Sequence, residues 1–218
     1  AQYTVTNECL NEVMDFTDQS TVVSGSTVVG WVWDFGDGQG VSQEQHPGYV
    51  YGQAGVYTAQ LVSVTDKGCL DTLDKQVEVY PLPQVQFSDT LSGCSPLEVL
   101  FTDESSIAGN NSIVSWSWDF GDGGTSTSPN PPVYVYDEPV TTPVSYSVTL
   151  HLVSDKGCES SYTYPDMIVV YPKPLGAFSM YANPTTILDP LVKFYDETQA
   201  YGNIQSWSWD FGDMNGSG

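Results

Sequence analysis

The chain has 218 residues, 40% of them hydrophobic, and a formal net charge of −22 at pH 7. That length and composition suit one or two packed domains, and no run of about 18 apolar residues is present to cross a bilayer as a helix. All five basic residues are lysines, against 27 Asp and Glu, so the Lys/Arg clusters that grip phosphate backbones are missing and nucleic acid and anionic membranes are excluded as partners.

The acidity serves solubility and repulsion between neighbouring chains; cation binding is the sharper alternative. Ala1-Gln2-Tyr3-Thr4-Val5 lacks the pattern of a signal peptide. Met214-Asn215-Gly216-Ser217-Gly218 stops inside a repeated pattern, which leads to the expectation of a fragment of a longer protein.

In chain order, Phe16-Thr17-Asp18-Gln19-Ser20 comes first and returns as Phe101-Thr102-Asp103-Glu104-Ser105 and, more loosely, as Phe194-Tyr195-Asp196-Glu197-Thr198. Next comes Trp31-Val32-Trp33-Asp34-Phe35-Gly36-Asp37-Gly38. It returns as Trp116-Ser117-Trp118-Asp119-Phe120-Gly121-Asp122-Gly123 and as Trp207-Ser208-Trp209-Asp210-Phe211-Gly212-Asp213-Met214. These copies hold all six tryptophans, and their spacing fits one small sandwich per repeat.

Tyr57, Ala59 and Leu61 alternate with Thr58, Gln60 and Val62; Tyr146, Val148, Leu150 and Leu152 alternate with Ser147, Thr149 and His151. Period-two alternation predicts half-buried strands. No apolar stripe of helical period appears, and Gly, Pro, Asn and Asp punctuate the strands. Asp66-Lys67-Gly68-Cys69 matches Asp155-Lys156-Gly157-Cys158, and Val77-Glu78-Val79-Tyr80-Pro81 matches Ile168-Val169-Val170-Tyr171-Pro172. The predicted class is all-β, in tandem sandwiches. Repeats span 1–82 and 83–173, with the first half of a third at 174–218, joined by Pro-limited, semi-rigid linkers.

Alternation places Trp31, Trp33 and Phe35 on one strand face, with Asp34 opposite. Gly36 and Gly38 around Asp37 predict a tight turn. In each copy the acids (Asp34 and Asp37, Asp119 and Asp122, Asp210 and Asp213) are expected to fix the corner through backbone N–H groups. The alternative is a carboxylate site for catalysis or a metal. Repetition of the motif argues against catalysis, because a scaffold recurs in every module and an active site need not.

The Trp-Asp-Phe-Gly-Asp-Gly stretch, with Phe-Thr-Asp-x-Ser upstream and Gly-x-Tyr-Thr downstream, resembles the PKD domain, an immunoglobulin-like sandwich. The resemblance covers essentially the whole chain. Tandem repeats with this cysteine pattern resemble those of large bacterial surface proteins, gliding-motility adhesins among them. Other members sit as accessory modules beside secreted proteases, collagenases and chitinases. The resemblance therefore implies an extracellular or cell-surface setting and a structural or binding role; the recurrence of the motif adds the expectation of no enzymatic activity.

Some PKD modules bind Ca²⁺ through an acidic loop and the Asp after the Trp. The matching positions here are Asp18, Ser20 and Asp34; Asp103, Ser105 and Asp119; and Asp196, Thr198 and Asp210. The acidic loop is replaced by Val22-Val23-Ser24-Gly25-Ser26 and Ile107-Ala108-Gly109-Asn110-Asn111, so no strong calcium site and no other cofactor is expected.

Cys9 and Cys94 each precede the repeated Phe by the same interval, and Cys69 and Cys158 each end an Asp-Lys-Gly-Cys turn. Four cysteines allow three connectivities. Repeat logic selects Cys9–Cys69 and Cys94–Cys158, each closing one module and each contributing about 4 kcal/mol. The third copy has Ile187 at the corresponding position. Zinc is disfavoured because no close Cys or His pair exists, and disulfides point to a secreted or surface location. His46 and His151 do not recur, and no nucleophile elbow or phosphate loop appears.

The functional expectation is a spacer segment of a bacterial surface adhesin or filament, in contact with other repeats of the same protein. The alternative is a carbohydrate- or protein-binding accessory module of a secreted enzyme, using surface aromatics such as Tyr49, Tyr51, Tyr134 and Tyr136, for which strand alternation equally predicts a core or strand-pairing role. Self-assembly through open strand edges is a third expectation.

Overall fold

The computed structural model describes residues 1–23, 25–88, 91–137, 139–181 and 192–211. Ile187, Gly212 and Asp213 lie outside them. Among the described residues every regular element is a strand.

Each of the first two modules has one five-stranded sheet. In module 1 the order is Glu8–Cys9, Leu70–Tyr80, Gly55–Thr65, Val28–Asp34, Val41–Ser42. In module 2 it is Leu91–Cys94, Glu159–Tyr171, Val144–Ser154, Ile113–Asp119, Thr125–Ser126. The opposing layer is built from short antiparallel pairs: Tyr3–Thr4 with Thr17–Asp18 and Met14–Asp15 with Gly48–Tyr49, then Phe87–Ser88 with Thr102–Asp103 and Leu97–Val99 with Tyr134–Tyr136. In the third copy Phe178–Tyr181 pairs with Lys193–Asp196.

The strands follow from the alternation. In Val28–Asp34, Trp31 is half-buried, Val32 exposed, Trp33 buried and Asp34 exposed. In the long strand Gly55–Thr65, Ala59, Leu61 and Ser63 turn inward. Trp33 and Trp118 are each 0% exposed. Tyr3 meets the Trp33 ring edge-on at 5.0 Å and Phe16 at 5.6 Å; Phe87 meets Trp118 edge-on at 5.0 Å. Phe178 meets Trp209 in the same way at 5.6 Å. Fully burying one such side chain contributes about 1.5–3 kcal/mol, and the edge-on contacts add to that.

The cysteines correct the expectation of one disulfide inside each module. Cys9 is bonded to Cys158, with Cα atoms 5.6 Å apart, and Cys69 and Cys94 are free and exposed. The reason lies in the long hairpin. Cys9 pairs in parallel with Tyr80, at the end where the last strand leaves the module. Cys69 sits in the turn joining Gly55–Thr65 to Leu70–Tyr80, at the other end of that hairpin. Strands of this length hold the two ends roughly 30 Å apart, whereas a disulfide needs Cα atoms within about 7 Å. Stacking solves the distance problem, because the exit pole of module 1 meets the turn pole of module 2. There Lys156 Nζ lies 5.6 Å from the Tyr80 ring centre, and Cys158 is 1% exposed.

Closing a separation of 149 residues contributes about 5 kcal/mol on the chain-entropy model. Peptide mapping without reductant is expected to find one Cys9–Cys158 cross-link, with Cys69 and Cys94 fully alkylatable. A Cys9–Cys69 or Cys94–Cys158 cross-link would show that the modules do not stack in this way.

Candidate functional site

The repeated acids gather at the corner where the Trp strand ends. Asp34 Oδ1 accepts the Gly36 N–H at 2.9 Å, and Asp119 Oδ1 accepts that of Gly121 at 2.9 Å. Asp37 Oδ1 accepts the N–H groups of Gln39 and Gly40, both at 2.9 Å, while the Tyr49 hydroxyl donates to Oδ2 at 2.5 Å. Asp122 repeats this with the Gly124 N–H at 2.9 Å and the Tyr134 hydroxyl at 2.7 Å. The loop closes through Phe35 N–H to the Gly40 carbonyl at 3.1 Å and Phe120 N–H to that of Gly124 at 3.0 Å. Tyr51 donates to the Phe35 carbonyl at 2.8 Å, and Tyr136 to that of Phe120 at 2.9 Å.

A second constellation joins Asp18 to the first Trp. Asp18 Oδ1 accepts the Ser20 N–H at 2.9 Å, and Oδ2 accepts the Trp31 indole N–H at 2.8 Å and a Gln45 amide N–H at 3.2 Å. Asp103 holds Ser105 at 3.0 Å and Trp116 at 2.6 Å; Asp196 holds Thr198 at 3.0 Å and Trp207 at 2.7 Å. The second Trp of the first two motifs donates elsewhere, Trp33 to the Glu44 carbonyl and Trp118 to that of Ser128, both at 2.9 Å.

Burial alone would raise the Asp18 carboxyl, but hydrogen bonds from Ser20, Gln45 and Trp31 outweigh it and hold the group below the usual carboxylate range. Asp37 is likewise lowered against its burial, by Tyr49, Gly40 and Gln39. Tyr49 is pushed up to about 12, first by its bond to Asp37 and then by burial. Tyr3 is pushed up to about 12 by burial.

This donor set does not fit a calcium ion. Ca²⁺ takes 6–8 oxygens, and the oxygens of Asp18 and Asp103 already accept N–H groups. The loop segments 21–27 and 106–112 bring no carboxylate. Among the described residues no three His, Cys, Asp or Glu side chains converge on one point as metal ligands would. The histidines are apart: His46 Nδ1 accepts the Asp18 N–H at 3.1 Å, and His151 lies 3.3 Å from Glu159. The four tyrosines named as glycan contacts are not free. Tyr51 and Tyr136 are 1% and 2% exposed, and Tyr49 and Tyr134 stack on Phe35 and Phe120 at 4.0 and 3.9 Å.

Sequence reasoning missed the Tyr49–Asp37 and Tyr134–Asp122 bonds. The available signal was a Tyr twelve residues after the turn Asp in both copies. It also missed Gly40 and Gly124, where an added Cβ would run into the rings of Tyr49 and Tyr134.

The family model described as "PKD domain" matches residues 2–79 and 81–170. The chain belongs to the PKD domain family. Among curated proteins, a PKD-length segment is 40% identical over 78 residues to Collagenase ColQ1 of Bacillus cereus (strain Q1), covering 36% of this chain and 8% of that protein. It is 33% identical over 79 residues to Collagenase ColA of Bacillus cereus (strain ATCC 14579), with the same two shares. Both collagenases are thus far longer than the segment they share with this chain. Among solved structures, the PKD1 domain of Vibrio cholerae metalloprotease PrtV is 35% identical with a TM-score of 0.31, covering 38% of this chain and 91% of that one. The PKD1 domain of Vibrio anguillarum Epp is 29% identical with a TM-score of 0.33, covering 36% and 88%.

Two of the PKD corner glycines make a graded test. Gly36 has φ +80°, and a Cβ there would stand 2.2 Å from the Thr58 carbonyl oxygen. Gly38 has φ +76° with open space around it. Gly38→Ala is expected to cost about 1–2 kcal/mol, the left-handed penalty alone. Gly36→Ala should cost clearly more, because the long strand must also move. Urea unfolding of the two variants checks the order, and equal losses would show that the close approach to Thr58 is not rigid.

The pH profile follows from the same corner. A carboxylate whose folded pKa is lowered contributes stability above its unfolded value of about 3.9 and loses it as pH falls through the folded value. A tyrosine whose folded pKa is raised contributes below its unfolded value of about 10 and loses it as pH rises toward the folded value. With Asp18 and Asp37 lowered and Tyr3 and Tyr49 near 12, melting temperatures should form a plateau between these limits and fall on both sides. Tyr49→Phe should flatten the alkaline limb, and Asp37→Asn the acid limb, each measured by calorimetry.

Proposed function

We propose that this PKD pair is a non-catalytic accessory segment of a secreted bacterial protein, a semi-rigid spacer that sets the distance and orientation of the units it joins. The observation that carries the reading is the internal use of the repeated motif. In the first two copies its carboxylates accept N–H groups of their own loop, and Asp18 and Asp103 accept the indole N–H of the first Trp, which is what a scaffold corner does. Stacked modules tied by Cys9–Cys158 suit a load-bearing joint better than a hinge. Sequence similarity to segments of two collagenases supports the accessory setting.

A second reading, a segment of a cell-surface adhesin or filament, is favoured by the tandem repetition with its cysteine-bearing register. Both readings share the spacer role. A glycan platform on the four tyrosines is not supported, since their rings pack against the cores.

The test combines small-angle scattering of the full chain with assays on immobilised collagen and gelatin. A narrow, salt-insensitive distance distribution that broadens on reduction, with no hydrolysis and no saturable binding, is the expected result. Hydrolysis would sink the non-catalytic reading. Saturable collagen binding would replace the spacer with a substrate-binding accessory module.

A further inference from the structure

The two free cysteines occupy positions whose counterparts in the neighbouring repeat are bonded to each other. Cys94 is built like Cys9. Cys9 pairs in parallel with Tyr80, and Leu10 N–H reaches the Tyr80 carbonyl at 2.8 Å. Cys94 pairs in parallel with Tyr171, and Ser95 N–H reaches the Tyr171 carbonyl at 3.0 Å.

Cys69 is built like Cys158. The Cys69 N–H donates to Thr65 Oγ1 at 3.0 Å and its carbonyl accepts the Thr65 N–H at 2.9 Å; for Cys158 and Ser154 these distances are 3.1 and 2.8 Å. Asp66 braces that turn to Thr27 as Asp155 braces the other to Ser112. Each free thiol therefore stands, exposed, in a preformed half of the joint seen complete at Cys9–Cys158.

The third copy already packs against the pole that carries Cys94. At the completed joint the Tyr80 ring meets Lys156 of the next module. At Cys94 the Tyr171 ring already stacks on Tyr201 of the third copy at 6.0 Å. Cys94, Tyr171, Pro172, Pro174 and Tyr201 line an open cleft of about 560 Å³, where the turn of a following module would lie.

We propose that the disulfides of this array run between modules in a staggered relay. Cys94 is the acceptor for the Asp-Lys-Gly-Cys turn of the module stacked after it, and Cys69 the donor to a Cys9-type cysteine of the module stacked before it. Every joint then carries one covalent staple, and no module closes on itself. The bond forms by thiol–disulfide exchange with a small or protein disulfide as oxidant. The Cys94 thiolate attacks that disulfide and releases one of its sulfurs as a thiol. The incoming turn cysteine, as thiolate, then displaces the second. The S–S bond between modules forms, the oxidant is reduced to two thiols, and the protons of the two cysteines pass to them.

The test extends the full chain in register. Residues 212–218 are replaced by a copy of residues 121–173, which completes the third module and its turn cysteine. After oxidation in a glutathione buffer, peptide mapping is expected to find Cys9–Cys158 plus a bond from Cys94 to the appended cysteine, with Cys69 the sole thiol labelled by iodoacetamide. Labelling of Cys94 should drop from near-complete to background. Continued full labelling of Cys94, or a Cys69–Cys94 bond, overturns the relay.

A second variant needs no appended module to fold. Cys158→Ser in the natural chain should leave Cys9, Cys69 and Cys94 all labelled, because Cys9 and Cys69 sit at opposite poles of one module. A Cys9–Cys69 bond in that variant would overturn the polar separation on which the relay rests.

Discussion

The burial of one indole per module sets the register on which the rest of the sandwich depends. Trp33 and Trp118 lie between the layers of their modules at zero exposure, and a strand slipped by one residue would put each of them in water. With that register set, Asp34 and Asp119 must face outward, and Phe35 and Phe120 must face in. The chain must then turn sharply at Gly36 and Gly121, under the backbone of the neighbouring strand. The acidic corner is the geometric consequence of where the indole sits.

Much of this was legible in the sequence because a period of two residues is a local signal. The inward parity of Trp33, Ala59 and Leu61 and the outward parity of Asp34 could be read directly, and so could the turn glycines. What could not be read lies across the sandwich. The Tyr49 hydroxyl reaches Asp37 only because Gly48–Tyr49 pairs with Met14–Asp15 in the opposite layer. Asp18 reaches Trp31 from a strand of that same layer. A motif shows which residues recur, and recurrence alone does not say whether an Asp meets an ion, a substrate or an indole. The hydrogen-bond partners decide it.

The cysteines show the same limit at longer range. Repeat logic says that Cys9 and Cys94 are equivalent and that Cys69 and Cys158 are equivalent, but two pairings respect that equivalence. One closes each module; the other joins consecutive modules with a stagger of one repeat. Only the parallel pairing of Glu8–Cys9 with Val79 and Tyr80 separates them. That pairing carries Cys9 to the exit pole, the full length of the hairpin from Cys69. Parallel pairing of a two-residue strand leaves no periodic signature in the sequence.

The staggered bond also bears on the charge. With 27 acidic residues against five lysines, stacked modules repel one another, and over separations beyond about 8 Å physiological salt screens most of that repulsion. At the joint the separation is shorter, and Glu78 of module 1 lines the same cleft as Lys156 of module 2. Lys156 lies over the Tyr80 ring there, so a scarce cation stands where two acidic bodies approach most closely. A cation over a ring still in contact with solvent is worth only about 0.5–1 kcal/mol, too little to hold the stack against a change in ionic strength. A covalent bond across the joint removes that dependence. The surface can then remain strongly acidic, keeping separate chains apart, while neighbouring modules of one chain stay in register.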